Sequence, residues 1–93
     1  MKQDIYHVVV SDKALKDLKR VPLYIATKFQ LWVEDVGRHG LSEVRKISGY
    51  NDEPLKGKRK DQRSIRLNHA YRAIYIIETD QTVRFVEVRE VEY

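Results

Sequence analysis

Hydrophobic residues in this chain recur with a helical period through its first half and with a strand-like pattern through its second. That switch limits the fold more than any other feature. From Ser11 onward, Ala14, Leu15, Leu18 and Val21 return at three- or four-residue spacing while Lys13, Lys16, Asp17, Lys19 and Arg20 fill the opposite face. The segment reads as an amphipathic helix capped by Ser11. Pro22 ends it and suits the first turn of a second helix, whose apolar set Ile25, Phe29, Trp32, Val33 and Val36 keeps the same period until Gly37-Arg38-His39-Gly40 breaks it. A helical hairpin is expected. Ahead of it, Ile5 to Val10 is rich in β-branched and aromatic residues and reads as a strand. Behind it, Leu41 to Ile47 has room for one more helical turn, and Ser48 to Pro54 is turn chemistry, expected as loop.

The second half alternates between strands and turns. Ser64 to Leu67 is a strand, Asn68-His69-Ala70 a turn, Tyr71 to Glu78 a strand, Thr79-Asp80-Gln81 a turn, and Thr82 to Val91 a strand. On the last of these, alternation puts Val83, Phe85 and Glu87 on one side and Arg84, Val86 and Val88 on the other, so neither face is cleanly apolar. The predicted order is β-α-α-β-β-β, a single α+β domain over residues 1–93. The helical hairpin covers one face of a twisted antiparallel meander and leaves the other partly open.

Charge is concentrated in one place. Lys56 to Arg63 holds five basic residues (Lys56, Lys58, Arg59, Lys60, Arg63) against Asp61, whereas the other residues carry 13 basic and 13 acidic side chains, so the net charge of +4 sits in this loop. Clustered cations leading into a strand favour a polyanionic partner through counterion release. Cysteine is absent, which excludes a disulfide framework and thiolate chemistry, and no apolar run approaches the roughly 18 residues of a membrane span. The opening Met1-Lys2-Gln3-Asp4 lacks the apolar stretch of a secretory signal, so a cytoplasmic location is expected. His7, His39 and His69 lie in different elements without ligand spacing, so neither a metal nor a cofactor is expected.

Gly49-Tyr50-Asn51-Asp52-Glu53-Pro54-Leu55-Lys56-Gly57, Arg63-Ser64-Ile65-Arg66-Leu67, Tyr71-Arg72-Ala73-Ile74-Tyr75 and a terminal Val-Glu-Val strand, preceded by a strand and helical hairpin, form a pattern over essentially the whole chain. It resembles the RelE/ParE superfamily of bacterial type II toxin-antitoxin toxins, nearest the RelE/HigB branch. The resemblance implies a four-stranded sheet with an N-terminal helical hairpin, a ribosome-dependent mRNA endoribonuclease that works without a metal, and a cognate antitoxin protein as partner. The antitoxin is expected to be acidic where it binds, covering the basic cleft or pinning the helical hairpin, and the free toxin is expected to be monomeric.

Cleaving RNA without a metal requires a base for the ribose 2′-OH, cations for the phosphorane and an acid for the departing 5′-oxygen. By the resemblance, Lys56 and Arg72 fall on family active-site positions. Arg72 is suited to clamp the scissile phosphate through its planar fork, and Lys56 to neutralise it or share a proton. Arg66 lies six residues before Arg72 across a turn, which lets the two face each other across a hairpin. Tyr93 is a candidate for stacking on a base or donating a proton. Lys58, Arg59, Lys60 and Arg63 are expected to hold RNA rather than perform chemistry, since a flexible loop preorganises an acid or base poorly. Asp52 and Glu53 are expected to staple the loop through ion pairs, with a base as their other role, and Tyr71 and Tyr75 are expected in the core.

One departure from the family stands at the end of the chain. Val86-Glu87-Val88-Arg89-Glu90-Val91 passes directly to Glu92-Tyr93, where relatives carry a lysine and histidine in between. An attenuated enzyme is expected, weakened about a thousandfold if that histidine transfers a proton, and a Lys-His insert after Val91 should restore cleavage. Two further readings use the same fold: a ParE-like inhibitor of DNA gyrase, and an RNA-binding module without a reaction.

Overall fold

The computed structural model describes residues 3–91; its elements run β1 (His7–Val10), α1 (Asp12–Leu18), α2 (Leu23–His39), α3 (Leu41–Val44), β2 (Glu53–Pro54), β3 (Gln62–Arg66), β4 (Tyr71–Ile77) and β5 (Thr82–Glu90). Short 3-10 turns stand at Ser48–Tyr50 and Gly57–Arg59. The α+β class and the helical hairpin are as expected. The sheet is larger than the four strands the resemblance implies, because Glu53 and Pro54, expected as loop, pair with Ser64 and Arg63 and add a two-residue edge strand. Proline is tolerated at such an edge because it needs no ladder donor on the open side. The sheet order is β1-β5-β4-β3-β2, antiparallel except where β1 runs parallel to β5. Among the described residues no helix is long and apolar enough to cross a membrane.

The hydrophobic core lies between α2 and the sheet. Ile25, Phe29, Trp32 and Val36, at helical spacing, face Ile65, Ala73, Tyr75, Val83, Phe85 and Val88. Four aromatic rings interlock at its centre. Phe85 meets Phe29 at 4.6 Å, Trp32 at 5.2 Å and Tyr75 at 5.5 Å between centroids, edge to face.

Strict alternation cannot place Val83, Phe85 and Val88 on one face, and the chain resolves the conflict with a bulge. Tyr75 pairs with Phe85 and Ile74 with Glu87, which leaves Val86 as an extra residue. Val88 therefore joins Phe85 in the core while Glu87 and Arg89 turn to the open face. Helix α1 lies alongside and serves the backbone groups that the irregularity frees. Ser11 Oγ accepts from Ala14 N at 3.1 Å as the helix cap and donates to the Val86 carbonyl at 3.2 Å, and Asp17 Oδ2 accepts from Val88 N at 3.0 Å. Burial opposes ionisation of Asp17, but the Val88 bond and Lys13 outweigh it and hold the carboxyl below its ordinary value.

Gly40 joins α2 to α3 with φ at 87°, a conformation L side chains resist, and a Cβ there would overlap the Asp4 carboxylate. Glycine leaves that space to Asp4, whose carboxylate accepts from Ser42 N at 3.0 Å and caps α3 from a distant part of the chain.

Candidate functional site

On the sheet face away from the helices, the registers Arg66↔Arg72 and Arg72↔Arg89 align three arginines across β3, β4 and β5. With strands about 4.8 Å apart, the row spans about 10 Å. Two of the three, Arg72 and Arg89, line an open cavity of about 530 Å³ together with Leu55, Ser64, Ile74, Glu90 and Val91.

Arg72 is the most restrained member of the row. Its Nε donates to Ser64 Oγ at 3.0 Å and its Nη2 to the Asn51 carbonyl at 3.2 Å, with Glu53 Oε1 at 3.4 Å. Ser64 is buried and Glu53 exposed. Nη1 has no hydrogen-bond partner among the described residues, so one edge of the fork is available to a ligand.

The segment that supplies two of these partners is anchored through the sheet. Asp52, whose side chain is fully buried, accepts from Arg63 Nε and Tyr75 OH, both at 2.7 Å, on the helix side, while Asn51, in the left-handed region at φ 45°, and Glu53 face Arg72. Burial first, and then the Asp52 charge, push the Tyr75 hydroxyl well above the usual tyrosine range. Asp52 thus staples the segment as expected, and its sequestration leaves Glu53 as the exposed carboxylate within hydrogen-bonding distance of Arg72, with Glu90 lining the same cavity.

The basic residues divide by how closely a carboxylate neutralises them. Arg63 is bound to Asp52 at 2.7 Å, Arg59 to Glu87 at 2.7 Å and Arg84 to Glu78 at 2.6 Å. Arg72 has Glu53 at 3.4 Å and Arg89 only Glu87 at 4.0 Å; Arg66, Lys56, Lys58 and Lys60 have no ion pair among the described residues. The expected RNA-holding set is therefore not one group. Arg63 is committed to the buried staple. Arg59 also donates to Gln62 Oε1 at 2.8 Å, and with Glu87 it straps the loop onto the open face. Lys58 and Lys60 project from the loop, exposed. Lys56, extended at φ −101° and ψ 164°, is exposed next to Leu55 but does not line the cavity. His69 is exposed in the β3–β4 turn, which Asn68 closes by accepting from Ala70 N at 2.8 Å and Tyr71 N at 2.9 Å. Tyr93 lies outside the described residues.

Two members of this face escaped the sequence reading. Ser64 gives no signal beyond a polar residue in a strand. Arg89 was hidden by the bulge, since counting from Phe85 by twos directs it to the core; the apolar spacing of three from Phe85 to Val88 is the sign that the count breaks.

A family model described as the ParE toxin of type II toxin-antitoxin systems, parDE, matches residues 8–92. The chain belongs to this toxin family. Solved structures agree on the fold of the toxin. The RelBE2 toxin-antitoxin complex of Mycobacterium tuberculosis aligns with TM-score 0.68 at 22% identity, over 94% of this chain and 99% of that one. The archaeal RelE-RelB complex from Pyrococcus horikoshii gives 0.69 at 19% identity, over 91% and 93%. YafQ from E. coli gives 0.68 at 22% identity, over 89% and 90%. The chain is thus a RelE/ParE superfamily toxin, as its sequence pattern implies. No functionally curated protein matches the sequence.

Proposed function

We propose that this toxin is a ribosome-dependent mRNA endoribonuclease of the RelE/HigB-like branch, acting in the cytoplasm with Arg72 at the scissile phosphate. One observation carries the reading: a guanidinium fixed by Ser64 and Asn51, with one edge unpartnered among the described residues, lines a cavity beside the exposed Glu53 carboxylate. Such an arrangement supplies a preorganised cation for a phosphorane and a base for a hydroxyl, which is what attack by a ribose 2′-OH requires.

In this scheme the 2′-oxygen forms a bond to phosphorus as its proton passes to Glu53. The P–O5′ bond breaks, leaving a 2′,3′-cyclic phosphate, and the 5′-oxygen takes a proton from Lys56 or Tyr93. Arg72 holds the non-bridging oxygens throughout. Turnover is slow, because the lysine and histidine that relatives carry near the C-terminus are missing here. The ribosome supplies the remaining positioning. The cognate antitoxin is the second partner, seated on the basic face or on the hairpin, where Leu23, Tyr24 and Leu31 of α2 are exposed. The free toxin is monomeric.

The ParE description of the matching family model favours a second reading, inhibition of DNA gyrase without cleavage. Primer extension on translating ribosomes, run beside a gyrase supercoiling assay, separates the two. Cuts within mRNA codons with normal supercoiling support the nuclease; the reverse supports the gyrase inhibitor.

A further inference from the structure

Among the arginines of the sheet and its loop, those with a carboxylate within 2.7 Å (Arg59, Arg63 and Arg84) are electrostatically satisfied, and those without one among the described residues (Arg66, Arg72 and Arg89) stand in one cross-strand row. Like charges directly opposite each other destabilise a sheet, so a row of three calls for an external anion. Arg89 is the clearest case. Among the described residues its only carboxylate contact, Glu87 at 4.0 Å, already serves Arg59 at 2.7 Å, and its side chain is 54% exposed.

The surface beside it is built rather than incidental. Arg72 and Arg89 line the same cavity with Ser64 and the exposed Glu90, and its apolar walls are Leu55, Ile74 and Val91. Val91 is pinned by its N–H to the Ala70 carbonyl at 2.6 Å, and Leu55 by its N–H to the Gln62 carbonyl at 2.8 Å. An apolar surface takes the face of a base and cations at the rim take phosphate, a combination that matches single-stranded nucleic acid. The bulge at Val86, supported by Ser11 and Asp17 of α1, is what turns Arg89 toward this cavity.

We propose that Arg89, with Leu55, Ile74 and Val91, forms a second nucleotide subsite on the β5 side of Arg72. It binds the phosphate and base of the nucleotide adjoining the scissile bond, so that the RNA backbone crosses the sheet perpendicular to its strands. The proposal rests on the endoribonuclease reading. It adds a residue and a direction of travel that this reading does not contain.

The test is fluorescence anisotropy of the full chain with a labelled, fully 2′-O-methylated RNA octamer, which cannot be cleaved, titrated at several KCl concentrations. Each phosphate contact on a single strand contributes a slope of about 0.7 in log K against log salt. R89A should lower the slope by about that amount and weaken binding about tenfold at low salt, while R89K keeps the slope and R84A matches wild type. An octamer series carrying one neutral methylphosphonate at successive positions identifies the phosphate. At one position wild type should lose the affinity that R89A loses, and R89A should lose nothing more. Wild-type affinity and slope in R89A, together with a loss in R72A, overturn the subsite and leave the nuclease reading standing. Absence of salt-dependent binding by the wild type overturns the subsite, while the nuclease reading stands or falls on primer extension with ribosome-bound mRNA.

Discussion

Replacing Tyr75 with phenylalanine removes one oxygen from the interior and leaves the ring among Trp32 and Phe85. The oxygen is one of two side-chain donors to Asp52, at 2.7 Å, and the Asp52 side chain has no exposed surface on which water could replace it. Leaving a buried charged acceptor short of a donor costs about 2 kcal/mol. For a domain of this size that lowers Tm by about 8–16 °C. Thermal unfolding followed by far-ultraviolet circular dichroism and by the single tryptophan, Trp32, measures the change. Alkaline titration gives a second signature. The Tyr75 hydroxyl is raised above its ordinary value of 10.0, first by burial and then by Asp52, so the native state holds this proton more tightly than the unfolded chain does. Its stabilisation is complete below pH 10 and is lost as pH rises through the folded value. Tyr50, raised by burial and then Asp35, acts in the same direction and remains in the variant. Y75F should therefore lose stability more gently above pH 10 than wild type. A Tm within about 2 °C of wild type, with an unchanged alkaline profile, refutes the staple as described.

Three other substitutions probe separate parts of the account. G40A forces a Cβ toward Asp4 at a φ of 87° and should cost at least about 2 kcal/mol in urea unfolding, with α3 the first segment to lose amide protection. D17A removes the acceptor for Val88 N–H beside the bulge; it should cost about 1 kcal/mol and shift the Glu87 and Arg89 backbone resonances more than those of β3. E53Q keeps the shape beside Arg72 but withdraws the base, so cleavage of ribosome-bound mRNA should fall about a hundredfold or more while RNA binding holds or tightens.

Much of the fold was legible because its determinants are local. Helical spacing from Ile25 to Val36, the Ser11 cap, the Pro22 break and the Asn68 turn each act within a few residues. What escaped depends on distant partners. Glu53 and Pro54 form a strand only because Ser64 and Arg63 lie alongside, and β1 finds its place only against β5 at the far end of the chain. The site divides the same way. Arg66 and Arg72 sit across a short hairpin, so their pairing follows from the turn, whereas the sequence around Arg63 marks it only as a loop cation because nothing in its neighbourhood announces Asp52 and Tyr75 as partners. Arg89 required the bulge at Val86, which α1 stabilises from a position over seventy residues earlier.

The central claim is that Arg72 acts at a scissile phosphate, and primer extension of mRNA on translating ribosomes tests it most directly. Wild-type toxin should produce discrete cuts within codons, and R72A, folded to the same circular dichroism spectrum, should reduce them by at least about a hundredfold. Equal cutting by R72A would contradict the account, as would a wild type that leaves mRNA intact while blocking gyrase supercoiling.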